Sequence, residues 1–273
     1  MKARTCFEIP INVSGIWKPV YTPSPISTGS LGAGIILRPG VICCPSIKPF
    51  PVLPHHRFFK RKVLCKFKIP LGKGFSTSAV YSLAHALLNF SQFTSAVSKA
   101  HEVEVIMRTG LGDVMAISYG YGLAIRIKAG GPGWGRVLSI RERARPVIIG
   151  VLPKSSWKDT PSMLSSISDY SFFEKLWEEL LEERDLSTFL GVSRKFSEHL
   201  GAYPRELGFV NEIEGVIGSY AKKSIFVIVL ENWSVYEDVK SKVENFFEKL
   251  YSFEITSSGL IPLNHNLILH QEV

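Results

Sequence analysis

The stretch KIPLGKGFSTSAVYSLAHALL, from Lys68 to Leu88, constrains the fold more than any other part of the chain. It starts as alternating basic and apolar residues, the pattern of a half-buried strand, and turns through Gly72 and Gly74. It then continues with Val80, Leu83, Ala84, Leu87 and Leu88 at helical spacing, behind Ser76, Thr77 or Ser78 as caps. A strand must therefore enter a helix through a glycine, serine and threonine turn. The mouth of such a helix gathers unpaired backbone N–H groups and the positive end of the dipole, which suits a phosphate. The glycines allow close backbone approach, and the hydroxyls can reach a magnesium ion. The plain alternative is a Gly/Ser turn capping an ordinary helix. Neither GxxxxGK[ST] nor a GxGxxG placed after a strand occurs, so a nucleotide held here needs another loop.

Three further segments can carry chemistry. AHEVEVIMRTGLGD reads as a helix over Thr94 to Met107 with Glu102 and Glu104, followed by a glycine turn ending in Asp113. Residues two apart on a helix face away from each other, so one glutamate looks into a site and the other is solvated. A glutamate, an aspartate and a phosphate loop would together supply a metal ligand and a general base. Each acid taken singly is equally a surface charge or a cap. In AIRIKAGGPGWG, Arg126 and Lys128 sit at alternate strand positions, where both can meet one anion unless the hairpin faces solvent. FSEHLGAYPREL offers Ser197 and Gly201 as another close backbone approach, or simply as a helix end.

The formal charge of +8 over 273 residues suits nucleic acid, a membrane surface or small anions. Much of it lies in HHRFFKRKVLCKFK, from His55 to Lys68. As a strand this run points Val63, Cys65, Phe67 and Ile69 one way and Lys62, Leu64, Lys66 and Lys68 the other. That pattern reads as a solvated, edge-protecting face or as a surface that steers anions. Aromatic residues are scattered instead of interleaved with the basic run, which argues against nucleic acid. No apolar run approaches a membrane span, Ile225 to Leu230 being strand-sized, and the N-terminus lacks a secretion signal. The expected location is the cytoplasm. The four cysteines, Cys6, Cys43, Cys44 and Cys65, form no CxxC pair and lie near no zinc-spaced histidine, so buried reduced thiols are expected.

Along the chain, strands are expected near Arg4 to Phe7, Val13 to Trp17, Gly34 to Arg38, Val41 to Cys44 and Lys62 to Ile69. VMAISYG and GLAIRIK read as a hairpin around Gly120 to Gly122. Beyond Arg136 the pattern is the strand RPVIIGVLP, then helices over Ser171 to Arg184, Leu186 to Leu200 and Glu206 to Tyr220. A strand SIFVIVL, a helix over Val235 to Leu250 and a last strand over Tyr251 to Ile255 follow. This is an α+β arrangement with a boundary near Ala144.

Taken in chain order, these pieces resemble the GHMP kinase superfamily, whose phosphate loop reads Pro-x-x-x-Gly-Leu-Gly-Ser-Ser-Ala-Ala. Pro70, Gly74, Thr77, Ser78 and Ala79 match or nearly match it; Phe75 replaces the leucine, Ser76 the middle glycine and Val80 the last alanine. Within the superfamily the chain is most similar to the archaeal-type pantoate kinase family. The shared pieces are TGSLGAG (Thr28 to Gly34), the AHxxEV helix (Ala100 to Val105), TGLGDV (Thr109 to Val114) and the strand and glycine loop from Tyr119 to Gly135. Ser197 to Gly201 is a loose match to the superfamily's third motif.

The resemblance implies a two-domain α+β kinase. Residues 1–144 would form an ATP-binding domain like ribosomal protein S5, and residues 145–273 a ferredoxin-like domain. It implies transfer of the γ-phosphoryl of ATP, with Mg2+, to the 4-hydroxyl of pantoate in archaeal coenzyme A synthesis. By the same resemblance Gly72, Lys73, Gly74, Phe75, Ser76, Thr77 and Ser78 would hold the triphosphate, with the Ser78 hydroxyl on magnesium. Glu102 or Glu104 would be the second metal ligand, the superfamily spacing favouring the first and the AHxxEV pattern the second. Asp113 would orient the hydroxyl and accept its proton, and Ser30, Gly112 and Arg126 would bind the substrate. Arg126 is the candidate for the pantoate carboxylate because a guanidinium grips it through two parallel bonds; Arg108 and Lys128 are weaker candidates. A homodimer is expected, with neither nucleic acid nor membrane as partner. Alternatives are a GHMP kinase for a mevalonate-like or homoserine-like acid, or a catalytically silent relative.

Overall fold

The computed structural model describes residues 6–153, 167 and 169–259. Its first two strands, β1 (Phe7–Val20) and β2 (Gly29–Ser46), form a long antiparallel hairpin. Along β1, Ile9, Ile11 and Val13 alternate into the core. A register shift between Ser14 and Ile16 then carries Ile16 to the same interior. The intervening Asn12 and Ser14 are buried as well, on the opposite side of the strand, where the polar site lies. Gly15 sits at this irregularity because a Cβ there would stand 2.1 Å from the Ser193 hydroxyl.

The other edge of β2 takes three partners in succession: β4 (Leu123–Lys128) at Gly32 to Ile35, β9 (Lys249–Ile255) at Leu37 and Arg38, and β3 (Lys62–Lys66) at Ile42 to Ser46. With β5 (Arg136–Ile140), β6 (Pro146–Val151), β7 (Val216–Lys222) and β8 (Ile225–Leu230) the sheet order is β5-β4-β2-β9-β6-β8-β7. The last four strands are antiparallel neighbours. With α4 (Ser171–Glu183), α5 (Leu186–His199) and α6 (Tyr236–Val243) the chain order is β6, α4, α5, β7, β8, α6, β9, the ferredoxin-like βαββαβ arrangement with its first helix doubled. In the first half, α1 (Thr77–Asn89), α2 (Phe93–Met107) and α3 (Asp113–Tyr119) join the same core, in which Val80, Leu83, Val97, Val103 and Ile117 are fully buried.

Four expectations change. VMAISYG is the helix α3, because Val114 to Ser118 are all buried, and a segment apolar on every side carries no periodicity that separates helix from strand. The hairpin is instead β4 with β5, a strand the sequence reading omitted. Glu206 to Tyr220 is not a helix: a short 3-10 helix, Arg205–Glu212, gives way at Gly215, with φ of 82°, to β7. The helix expected over Val235 to Leu250 stops at Val243, and β9 starts at Lys249. Of the strand expected over Arg4 to Phe7, residues 4 and 5 lie outside the described residues. In the basic run the alternation of β3 holds, with Val63 and Cys65 buried and Lys66 exposed, but His55 is tucked into the 3-10 turn Pro54–Phe58.

The cysteines are also corrected. They are paired as Cys6–Cys44 and Cys43–Cys65. The reason is register: Cys43 lies directly opposite Cys65, while Phe7 opposite Cys43 brings Cys6 against Cys44. Two neighbouring residues of β2 thus fasten it to a strand on either side, a pairing that spacing alone does not reveal. Each bond should contribute about 2–4 kcal/mol by restricting the unfolded chain. Reduction of both is therefore expected to lower the melting temperature by roughly 10–30 °C, taking about 2–4 °C per kcal/mol for a domain of this size. Differential scanning calorimetry with and without dithiothreitol checks this, and alkylation before reduction should label none of the four cysteines. Full labelling of the untreated protein would remove both bridges.

Candidate active site

A cavity of about 410 Å³ lies where the α1 entry, β1, the Thr109 to Asp113 turn, β4 and the β7–β8 turn meet. The loop before α1 shapes one wall. Gly72, Gly74 and Ser76 have φ of 75°, 124° and 50°, so the chain climbs into the helix through left-handed backbone. The Ser76 hydroxyl does not cap α1; it accepts the Asn12 backbone N–H at 2.9 Å. The first turn of α1 consequently has no side-chain cap, and Gly72, Gly74, Ser76, Thr77 and Ser78 line the cavity. Phe75 does not: it is fully buried, its ring 5.5 Å from Tyr251 and 6.1 Å from Phe253. It anchors the loop to β9, which is why a bulky residue stands between two site residues. Lys73 is half-buried on the loop outside that wall.

The two glutamates of α2 separate as helical geometry demands. Glu104 is buried and accepts hydrogen bonds from Ser78 Oγ at 2.8 Å and Ser82 Oγ at 2.9 Å. His55 Nε2 lies 3.1 Å from Oε1, the oxygen that Ser82 also contacts, and 2.9 Å from the Thr109 hydroxyl. Glu102 points outward beside Lys99, 3.6 Å away, and takes no part in the cavity. A Cβ on Gly110 would stand 2.8 Å from Glu104 Oε2 and 3.8 Å from Asp113 Oδ2. Glycine there leaves open a gap bordered by two carboxylates and next to the Ser78 hydroxyl, an all-oxygen donor set that fits a hard cation such as Mg2+.

Asp113 opens α3 and is held from β1: Asn12 Nδ2 donates to its Oδ1 at 2.7 Å and Ser14 Oγ at 3.4 Å. Arg126 is buried on β4, and its Nη1 donates to Ser14 Oγ at 3.5 Å. Cβ atoms built on Gly112 would meet Ser30 Oγ at 2.3 Å and Arg126 Nε at 2.4 Å, so these three residues form one corner. Arg126 Nε has no hydrogen-bond partner there. Lys128, expected on the same face, lies past a register shift and is exposed, and Arg108 is exposed at the end of α2.

Burial pushes the Asp113 carboxyl up, but Lys222, Arg126 and the bonds from Asn12 and Ser14 outweigh it and hold the group below its ordinary range. Burial lowers the affinity of Lys222 and Arg126 for their protons, and Asp113 opposes that in both.

Sequence reasoning missed Asn12, Ser14, His55, Lys222 and Lys223, all buried or lining the cavity. The lysines were read as following a helix, and only a strand in their place turns them toward the loop. Ser197 does not line the cavity. It accepts the Ala221 N–H at 3.3 Å and so braces the strand beside Lys222. Gly201, with φ of 66°, has open space where a Cβ would be.

No family model matches the chain. Among curated proteins it is 29% identical to the pantoate kinase of Thermococcus kodakarensis, over 77% of this chain and 80% of the relative. It is 27% identical to that of Methanospirillum hungatei, over 72% and 76%. A solved structure described as a phosphotransferase related to the CoA biosynthesis pathway superposes with a TM-score of 0.76 at 24% identity, covering 93% of this chain and 96% of the other. The mevalonate kinase of Methanococcus jannaschii superposes with 0.61 at 12% identity, covering 94% and 99%. The chain thus has the fold shared by the GHMP kinases, and in sequence it is similar to pantoate kinases.

Proposed function

We propose that the chain transfers the γ-phosphoryl group of ATP to the 4-hydroxyl of pantoate, an early step of coenzyme A synthesis in archaea. The observation that carries this reading is the balance of charge in the cavity. Two carboxylates, Asp113 and Glu104, border a cavity lined by three cationic side chains, Arg126, Lys222 and Lys223, and the Arg126 Nε donor is unused. A buried excess of cations is costly unless an anion completes it. A hydroxy acid with a carboxylate, next to a triphosphate, supplies both the anions and the nucleophile.

In this reading the α1 entry, Gly72 to Ser78, receives the phosphates through backbone N–H groups, and Phe75 serves only to fix the loop. Ser78 and Glu104 would hold Mg2+, which supplies charge neutralisation on the phosphates. Arg126 grips the pantoate carboxylate in the corner formed by Ser30 and Gly112. That grip places the far hydroxyl toward Asp113, which orients it and takes its proton as the oxygen bonds to phosphorus. Because the transition state is loose, alignment and charge matter more than the strength of the base. An Asp113 held ionised can therefore still serve. We place the ATP-binding half at residues 1–144 and the ferredoxin-like half at 145–273, and propose a cytoplasmic homodimer. Among the described residues no helix is long and apolar enough to cross a membrane.

An ADP-release assay across pantoate, mevalonate and homoserine should give turnover with pantoate; turnover with another acid alone would replace the acceptor. Asp113→Ala is expected to lower kcat by about 100-fold or more while ATP binding by calorimetry is kept. Unchanged kcat would take Asp113 out of the chemistry. Arg126→Lys should raise the KM for pantoate by about 10-fold or more through loss of the two-pronged grip, with the KM for ATP steady. A steady KM for both substrates would move the carboxylate site elsewhere.

A further inference from the structure

We infer that Lys222 is a catalytic residue: its ammonium contacts the phosphoryl group in transit, from the second half of the chain. The inference rests on the assigned kinase reaction and on geometry that the motif residues do not account for. Strand β7 is fixed against β1 by Tyr220, whose hydroxyl donates to the Val13 carbonyl at 2.9 Å. Side chains two apart on a strand share a face, so Lys222 projects on the same side as Tyr220, toward Asn12, Ser14 and Asp113. At the next residue, Lys223, with φ of 54°, the chain turns back into β8.

The same turn packs on the phosphate loop. A Cβ on Gly74 would come within 3.3 Å of the Lys222 carbonyl oxygen, and Lys223 Nζ donates to the Gly72 carbonyl at 3.2 Å. Lys222 therefore stands on the phosphate side of Asp113. Arg126 stands on the other side, against Gly112 and Ser30. Among the described residues the Lys222 ammonium makes neither a hydrogen bond nor an ion pair, although it lines the cavity and interacts electrostatically with Asp113 and Arg126. A partly buried cation left without a partner beside a phosphate loop is arranged for an anion that arrives with the ligand.

The two cations divide the work by shape. The planar fork of Arg126 suits a carboxylate, whereas the compact ammonium of Lys222 suits the rounded charge of a phosphoryl group. In the transfer, the acceptor oxygen bonds to the γ-phosphorus as the bond from that phosphorus to the bridging oxygen breaks. The hydroxyl proton passes to Asp113 and ADP leaves. Lys222 stays protonated and offsets negative charge on the γ-phosphoryl oxygens.

Wild-type turnover with pantoate is measured first and tests the reaction itself; the variants are then assayed with whichever acceptor supports turnover. Lys222→Met is expected to lower kcat by about 100-fold or more with both KM values within about threefold, and Lys222→Arg to recover at least a tenth of wild-type kcat. A Lys222→Met protein that melts like wild type and keeps kcat within threefold overturns the assignment. So does a loss confined to the KM of the acid, which would make Lys222 a carboxylate anchor. If Lys222→Met does not fold, Lys222→Cys decides: alkylation with 2-bromoethylamine restores an ammonium, the native cysteines being paired. Activity should return with the label. A folded, labelled, inactive protein counts against the inference.

Discussion

A carboxylate kept charged in a cavity of this kind needs partners from several directions, and Asp113 draws on three. Asn12 and Ser14 reach it from β1, Arg126 from β4 and Lys222 from β7. The strands belong to both halves of the chain, so the site exists only when the sheet is assembled. The link is the contact between β2 and β9, through Leu37 with Ile255 and Arg38 with Glu254, which joins the first-half strands to the ferredoxin-like four. Displacing β7 would remove Lys222 and leave Asp113 with fewer partners against burial, raising its pKa. Stability and electrostatics are thus coupled through one residue.

The legible part of the fold is the part written in local periodicity. The strand, turn and helix from Lys62 to Asn89 could be read because the alternation of Val63 and Cys65 gives way to Val80, Leu83 and Leu87 at helical spacing. Asp113, Glu104 and Arg126 could be named because glycine turns and strand ends flagged them. Helix α3 was misread because it is buried on every side, and β7 because the apolar residues around Tyr220 fit either period. That second error hid Lys222 and Lys223: after a helix ending at Tyr220 they belong to a connecting turn, whereas at the end of β7 they meet the loop before α1. Asn12 and Ser14 were hidden differently. Each is an ordinary polar residue in an alternating strand, and its role comes from a partner about a hundred positions away.

The choice between the two glutamates shows what physics adds to resemblance. Both spacings had support, and helical geometry stated only that one must face outward. Burial decides it, since Glu104 gathers Ser78, Ser82 and His55 while Glu102 keeps a surface lysine. The disulfides carry the opposite lesson. Spacing and the tendency of free cysteine to be buried suggest reduced thiols, whereas pairing follows from strand register. Disulfides persist inside the cells of hyperthermophilic archaea, so paired cysteines do not by themselves argue against the proposed cytoplasmic location.

Ser76 shows how closely the two sides of the cavity are tied. The superfamily loop has glycine at this point, and the chain keeps the glycine conformation, with φ of 50°, on a residue that carries a Cβ. Left-handed backbone costs a serine about 1 kcal/mol, and a hydrogen bond to a buried amide returns a similar amount, roughly 1 kcal/mol. The Ser76 hydroxyl makes that bond to the Asn12 N–H, and the Asn12 side chain in turn donates to Asp113. A glycine here would free the backbone and leave the Asn12 amide without its partner. The serine therefore couples the loop before α1 to the strand that holds Asp113: the entry to α1 and the carboxylate facing it are held by a single residue of β1, one through its backbone and the other through its side chain.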